Sequence, residues 1–370
     1  MNRIFLIGMG LCLLTSQAIS QILSDRETQQ LTIEALKNIY DFDFKKAEPF
    51  RQKIRQKYPT HPVNPMLQAI QTYWQYLPLT QNPEACNRYQ SYLKQAIQQA
   101  EKLQNSDKND TEATFFLLSA HSYLAMLESD RKEYTKAVGE AKKTYNYMRK
   151  GFSLTDKNPE FYFPTGLYNY YRERYPEDHP MVKPVMLFFQ NGNKAVGLKQ
   201  MEIGYQKGIF TKTEAAYYLV YVLLKHENNP AKALSYSTPL FREYSGNPMY
   251  QTRHTEALTF TAHYMEAEPL AQQLAQMKSI LFKTPGEVFL GIILEKGKKN
   301  DAAATAYYHR AIQNPMEERY TNDYVAMAYA GLGRIADRAG QKDLAKNYFK
   351  KAQKLAEYTS TKEEVKRYLK

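Results

Sequence analysis

Between Tyr329 and Ala352 the apolar positions fall into two short registers. Tyr329, Leu332, Gly333 and Ala336 share one helical face, Gly340 breaks the pattern, and Ala345, Phe349 and Ala352 share a second. Spacings of three and four residues predict two amphipathic helices joined by a tight turn. Gly333 and Ala345 stand twelve positions apart, where two antiparallel helices must approach closely, and Tyr329 and Phe349 fill the space beside them. A hairpin of this size cannot bury its apolar face alone, so it predicts an array of stacked hairpins.

The same grammar runs back through the chain. Asn-Pro recurs at Asn64-Pro65, Asn82-Pro83, Asn158-Pro159, Asn229-Pro230, Asn247-Pro248 and Asn314-Pro315, with Thr284-Pro285 as a variant. Each reads as a helix cap followed by the first helical residue, because Asn and Thr accept from first-turn amides and Pro has no amide to waste there. The first predicted hairpin joins Glu27–Tyr40 to Phe44–Lys57, with Ala35 and Ala47 again twelve apart. Ala125 and Ala137 repeat that spacing in the third hairpin, and Cys86 lies on a stripe with Tyr89, Leu93, Ala96, Ile97 and Ala100, as a small core residue would. The middle is irregular: a helix through Phe163, Gly166 and Tyr170 is separated from its partner, which begins near Gly192, by an insertion at about 175–193 holding Pro176, Pro180 and Pro184. Such an insertion either loops out to bind something or forms a short helix over exposed core.

The spacing Tyr329, Leu332, Gly333, Ala336, Ala345, Phe349, Ala352 resembles the tetratricopeptide repeat. It departs at Ala336, where that signature prefers Tyr, and at Glu357, where it prefers Pro. The block Gly166 to Tyr171, with Gly197-Leu198 and Glu214-Ala215, is similar to the centre of a group of exported bacterial tetratricopeptide proteins to which no reaction is attached. The resemblance implies an all-α fold, a right-handed α-solenoid of about eight antiparallel helix pairs over residues 21–370, at some 44 residues per pair against the signature's 34. It also implies a concave groove lined by fixed positions of each first helix. Carried over, these are Ser122 with Met126, then Phe163, Leu167 and Tyr170, then Tyr218, Val222 and Lys225, and finally Met327, Ala330, Arg334 and Asp337. Aromatic, polar and basic groups in one channel suit an extended protein or peptide segment, or a glycan stacked on tyrosine.

Composition adds an address and removes some chemistries. The chain has 370 residues, 43% hydrophobic and 24% charged, with 31 Tyr, 17 Phe and a single Trp, so disorder is excluded and the apolar bias is aromatic. Arg3, the apolar run Ile4 to Leu14 and the small-residue site Ala18-Ile19-Ser20 before Gln21 read as a signal peptide over residues 1–20, which predicts an exported protein, periplasmic or secreted. No later run is apolar enough to span a bilayer. Cys86 is the one cysteine left after cleavage and cannot form an internal disulfide. The formal charge of +12 is spread along helix faces, and export argues against nucleic acid, leaving a weak attraction to anionic lipid headgroups or acidic polysaccharide open.

Enzyme motifs fail on spacing. Gly291 to Lys298 has five residues between its glycines and Lys299 where a phosphate loop has Ser or Thr, and reads better as a helix with a glycine end cap. Ser91-Tyr92-Leu93-Lys94 fits Ser-x-x-Lys without companion motifs. The seven histidines form no i, i+4 pair. The expectation is therefore a scaffold with no catalytic residue, no metal and no cofactor.

Overall fold

The computed structural model describes Ile22 and residues 25–178, 180–187 and 189–370; the predicted signal peptide lies outside them. Among the described residues there is no strand. The helices are α1 (Arg26–Tyr40), α2 (Phe44–Lys57), α3 (Val63–Gln75), α4 (Pro83–Ser106), α5 (Thr111–Asp130), α6 (Tyr134–Phe152), α7 (Tyr162–Asp178), α8 (Lys183–Met186), α9 (Lys194–Lys207), α10 (Lys212–Lys225), α11 (Pro230–Glu243), α12 (Pro248–Phe260), α13 (Tyr264–Ala275), α14 (Ile280–Ile292), α15 (Asp301–Gln313), α16 (Glu318–Arg338), α17 (Lys342–Leu355) and α18 (Thr359–Leu369). They pair as hairpins α1/α2, α3/α4, α5/α6, α7/α9, α10/α11, α12/α13, α14/α15 and α16/α17, with α18 closing the end, and successive hairpins lie against one another in chain order. No described helix is long and apolar enough to cross a membrane.

Small residues sit at the crossings, as their spacing predicts. Ala35 and Ala47 are fully buried. A Cβ on Gly333 would come within 2.9 Å of the Phe349 ring, so the α16/α17 crossing closes only because position 333 has no side chain. Four of the Asn-Pro dipeptides cap helices as expected: Asn82 accepts from the Ala85 amide at 3.0 Å, Asn158 from Glu160 at 3.0 Å, Asn229 from Lys232 at 3.1 Å and Asn247 from Met249 at 2.9 Å.

Three differ, because other groups claim the side chain or the helix starts earlier. The α3 helix begins at Val63, whose amide donates to His61 Nδ1, while Asn64 donates to the Tyr58 carbonyl at 2.6 Å. The α14 helix begins at Ile280, so Pro285 lies inside it. Asn314 ends α15, and its amide donates back across the hairpin to Glu287 at 2.7 Å.

The array does not stay open. Tyr40, at the end of α1, packs against Tyr244 and Tyr250 with ring centroids 6.0 and 6.4 Å apart, and its hydroxyl donates to Glu214 at 3.4 Å. The first hairpin thus touches the fifth and sixth, contacts that an extended solenoid does not make. Tyr123 of α5 also donates to Glu214, Arg319 pairs with Asp130, and Gln81 donates to Glu317. Tight coiling places α12 at the centre, where its buried residues run continuously from Met249 to Thr259 and include Arg253, His254 and Glu256.

One seam fixes this closure. The Gly246 amide donates to Asp41 Oδ1 at 2.8 Å, and Asn247, besides capping α12, donates to the Tyr40 carbonyl at 2.8 Å. A Cβ on Gly246 would stand 2.4 Å from the Asp41 carbonyl oxygen, backbone that cannot swing aside. Gly246→Ala therefore forces the seam apart at a cost of about 1–3 kcal/mol. The expected readout is a larger radius of gyration in solution scattering together with a lower Tm; an unchanged radius would show that the seam does not hold the coil closed.

The insertion packs on the helices beside it. Arg172 of α7 donates to the Met186 carbonyl at 2.6 Å, Tyr168 donates to the Gln190 carbonyl at 2.6 Å, and the Gln190 amide donates to the Tyr145 hydroxyl at 2.8 Å. It therefore bridges α6 and α7, yet leaves Met181 and Leu187 exposed.

Candidate binding cleft

The inner face of the last hairpins opens into a cleft of about 210 Å³. Its walls come from the ends of α12 and α14, the start of α13, the middle and C-terminal part of α16, the turn into α11, and the capping helix α18. Phe260, Tyr264, Ile292, Met327 and Ala330 supply apolar surface, and Lys296, Arg334, Ser360, Thr361 and Glu364 supply polar groups.

The polar wall is rigid. Arg334 grips Glu295 through two bonds, Nε to Oε1 at 2.8 Å and Nη2 to Oε2 at 2.6 Å, and reaches Glu364 at 2.8 Å with Nη1. Glu295 also accepts from Tyr308 at 2.7 Å and from Arg338 at 3.0 Å. Burial alone would raise the Glu295 pKa, but the hydrogen bonds and charge of Arg334, with Tyr308 and Arg338, overcome it and bring it to about 2. Glu295 stands in the single wide turn Ile293–Gly297 that ends α14. The segment with a faint phosphate-loop spacing is thus a helix end, as the sequence reading preferred. Lys296 in the same turn makes no ion pair among the described residues.

The groove positions expected from the sequence divide into groups. Met327, Ala330 and Arg334 all line the cleft. Phe163, Tyr170 and Tyr218 come together elsewhere, in an apolar cluster with Met201 and Leu219; the Phe163 and Tyr218 rings lie 5.5 Å apart. Tyr170 is fully buried and donates to Glu227. Lys225 is buried, and its ammonium bonds Asp323 at 2.8 Å and Glu357 at 2.6 Å, tying α10 to α16 and to the chain after α17. Burial would lower its pKa, but Tyr221, Asp323 and Glu357 outweigh this and raise it. Ser122 donates to the Leu118 carbonyl of its own helix at 2.7 Å, and Asp337 pairs with Lys342 at 2.6 Å, so both stand apart from the cleft.

A single open channel through all these positions is therefore not what the coil presents. Its tight curvature fills the inner face with the chain's own rings. Phe260, Tyr264 and Lys296 were not among the groove positions; the only signal for them was their placement at the ends of helices that the hairpin pattern already located. Among the described residues no group of three His, Cys, Asp or Glu side chains could hold a metal.

No protein-family model matches the chain, and no curated protein sequence matches it. Solved structures similar to it include a tetratricopeptide repeat protein from Parabacteroides merdae, 16% identical over 93% of this chain and 100% of that one, with a TM-score of 0.34. Yeast Tom70 is 13% identical over 94% and 82%, at a TM-score of 0.39, and a human IFIT1 dimer with m7Gppp-AAAA is 13% identical over 89% and 94%, at 0.34. The fold is tetratricopeptide-like. Its stacked hairpins and their small-residue crossings carry that description, and its inward closure sets it apart from an open groove.

Proposed function

We propose that the chain is a non-catalytic helical-repeat scaffold, working outside the cytoplasm, that holds an extended segment of a partner protein in the C-terminal cleft. The observation that carries this reading is the cleft's lining: apolar side chains from α12, α13, α14 and α16, a rigid Arg334–Glu295 wall, and the ammonium of Lys296, which has no ion pair among the described residues. A volume of about 210 Å³ admits an anchoring side chain and not a folded domain. Ser360 and Thr361 add hydroxyls to the lining, groups of the kind that hydrogen-bond the backbone of an extended segment.

A photo-crosslinking residue in place of Tyr264, introduced in the native host, tests this. Adducts confined to one segment of one or a few proteins, absent when the same group replaces exposed Lys53 on α2, are the expected result. Equal labelling from both positions would overturn the cleft. Mass spectrometry of the recovered chain reads export at the same time, since cleavage after Ser20 leaves Gln21 as the first residue.

A further inference from the structure

The middle hairpins carry an unusual concentration of exposed apolar side chains. Eleven large apolar side chains are exposed among the described residues, and six of them, Tyr134, Val138, Tyr175, Met181, Leu187 and Val196, fall between positions 134 and 196. Singly scattered apolar groups are normal on protein surfaces, and an even scatter would put about two in that interval.

The helix α6 shows how the patch arises. Tyr134, Val138, Ala141 and Tyr145 follow one another at steps of four, three and four, so they form one flank of the helix. The C-terminal end of that flank is covered: the Tyr145 ring lies 5.8 Å from Tyr168 of α7 and 4.8 Å from Phe189 of the insertion. The N-terminal end is bare, with Tyr134 63% and Val138 69% exposed. The ring contacts of α6 with α7, through Tyr145 and Phe152, lie near its C-terminal end. From Tyr145 the surface continues through Phe189 to Leu187, 83% exposed, and the insertion also carries Met181, 94% exposed.

Charge decides what could cover it. Residues 132–152 hold Lys132, Lys136, Lys142, Lys143, Arg149 and Lys150 against Glu133 and Glu140. Glu140 is already engaged by Lys143 at 2.9 Å and by His121 at 2.5 Å. Residues 175–199 add Lys183, Lys194 and Lys199 against Glu177 and Asp178, and Lys194 is engaged by Glu177 at 2.9 Å, so the cations stay in excess. Tyr134, Val138, Met181 and Leu187 are each more than 60% exposed, tips and not the floor of a groove, and they lie in segments with an excess of lysine.

We propose that this face docks the protein peripherally on an anionic phospholipid bilayer. Val138, Met181 and Leu187 enter the headgroup boundary, Tyr134 sits at its polar edge, and the lysines of α6 and the insertion lie among the phosphates. A bilayer supplies both complements in one plane, shallow apolar depth and dense negative charge, and this docking is independent of what fills the C-terminal cleft.

Co-sedimentation with phosphatidylcholine vesicles, with and without phosphatidylglycerol, tests it. The parent chain should bind the anionic vesicles about tenfold more tightly than the neutral ones, and added salt should weaken that binding. The double variant Val138→Asp, Leu187→Asp should lose about tenfold in affinity with an unchanged Tm, because both side chains are exposed. A control with the same charge change elsewhere, Met265→Asp, Leu344→Asp, should bind like the parent. Equal binding by both double variants would reduce the effect to net charge and overturn the docking face. So would a parent dimer that the first variant splits while vesicle binding stays unchanged, which would make the patch a contact between copies of the chain.

Discussion

Arg253→Leu is expected to destabilise the chain by about 3–5 kcal/mol, the usual cost of leaving one member of a buried ion pair without its partner. Arg253 and Glu256 lie a turn apart on α12, and the Glu256 side chain is wholly inaccessible. The Arg253 Nη1 donates to Glu256 at 2.8 Å, to Tyr358 at 2.9 Å and to Tyr324 at 3.0 Å, and the guanidinium lies over the Tyr221 ring at 5.0 Å. One cation therefore joins the central helix to α10, to α16 and to the residue before α18. Without it, Glu256 keeps a bond from Tyr324 at 3.1 Å but loses its cationic partner at a wholly inaccessible position. The double variant Arg253→Leu, Glu256→Leu removes both charges, and most of the lost stability should return. Urea unfolding of the three proteins measures this. A single variant as stable as the parent would show that the hub is ornamental to stability, and a double variant no better than the single would place the loss in the tyrosine bonds.

Acid should destabilise the fold before ordinary carboxylates begin to titrate. His61 and His254 are buried, and burial pushes their pKa values down to about 3 and about 4. His61 Nδ1 accepts from the Val63 amide, its ring lies edge-on to Phe116 at 5.5 Å, and the Glu112 carboxylate is 3.6 Å from its Nε2. His254 lies 3.1 Å from the Ser237 hydroxyl and stacks on Phe241 at 5.1 Å. Each folded pKa is below the unfolded value near 6.5, so the unfolded chain takes up protons first as pH falls. The stability these neutral rings preserve is intact above about pH 6.5 and drains away between there and their folded pKa values. At about 1.4 kcal/mol per pH unit for each ring, moving from pH 7 to pH 5 should cost roughly 3–4 kcal/mol. A urea midpoint that does not move over that interval would refute the prediction. His61→Gln with His254→Gln should flatten the dependence. Glu295 acts lower: with its pKa held at about 2, its contribution is present above the usual carboxylate range and is lost only as pH falls from about 4 toward 2.

Sequence periodicity located the hairpins because each is a local object. Ala35 and Ala47, or Gly333 and Ala345, are set by a turn and two helical registers within a few dozen residues, and their burial follows the spacing. Four Asn caps were legible for the same reason, while Asn64 and Asn314 were not, since their amides answer to groups outside their own turn, the Tyr58 carbonyl and the Glu287 carboxylate. The cleft was partly legible. Met327, Ala330 and Arg334 line it as the repeat offsets implied, whereas Lys225 turned out to be a clamp to Asp323 and Glu357. Arg253, which gathers the core, left no mark in the pattern, because α12 is buried on every side and so has no amphipathic register to read.

By itself the sequence determined an all-helical chain of stacked hairpins, where most of the turns fall, and which residues are small enough to let paired helices touch. Only the tertiary structure decided that the stack coils back on itself, so that Tyr40 and Asp41 meet Gly246 and Asn247 some two hundred residues away. The physical reason is that pairing within a hairpin depends on nearby residues, whereas closure depends on small angular offsets accumulated over many hairpins, and no single spacing records their sum.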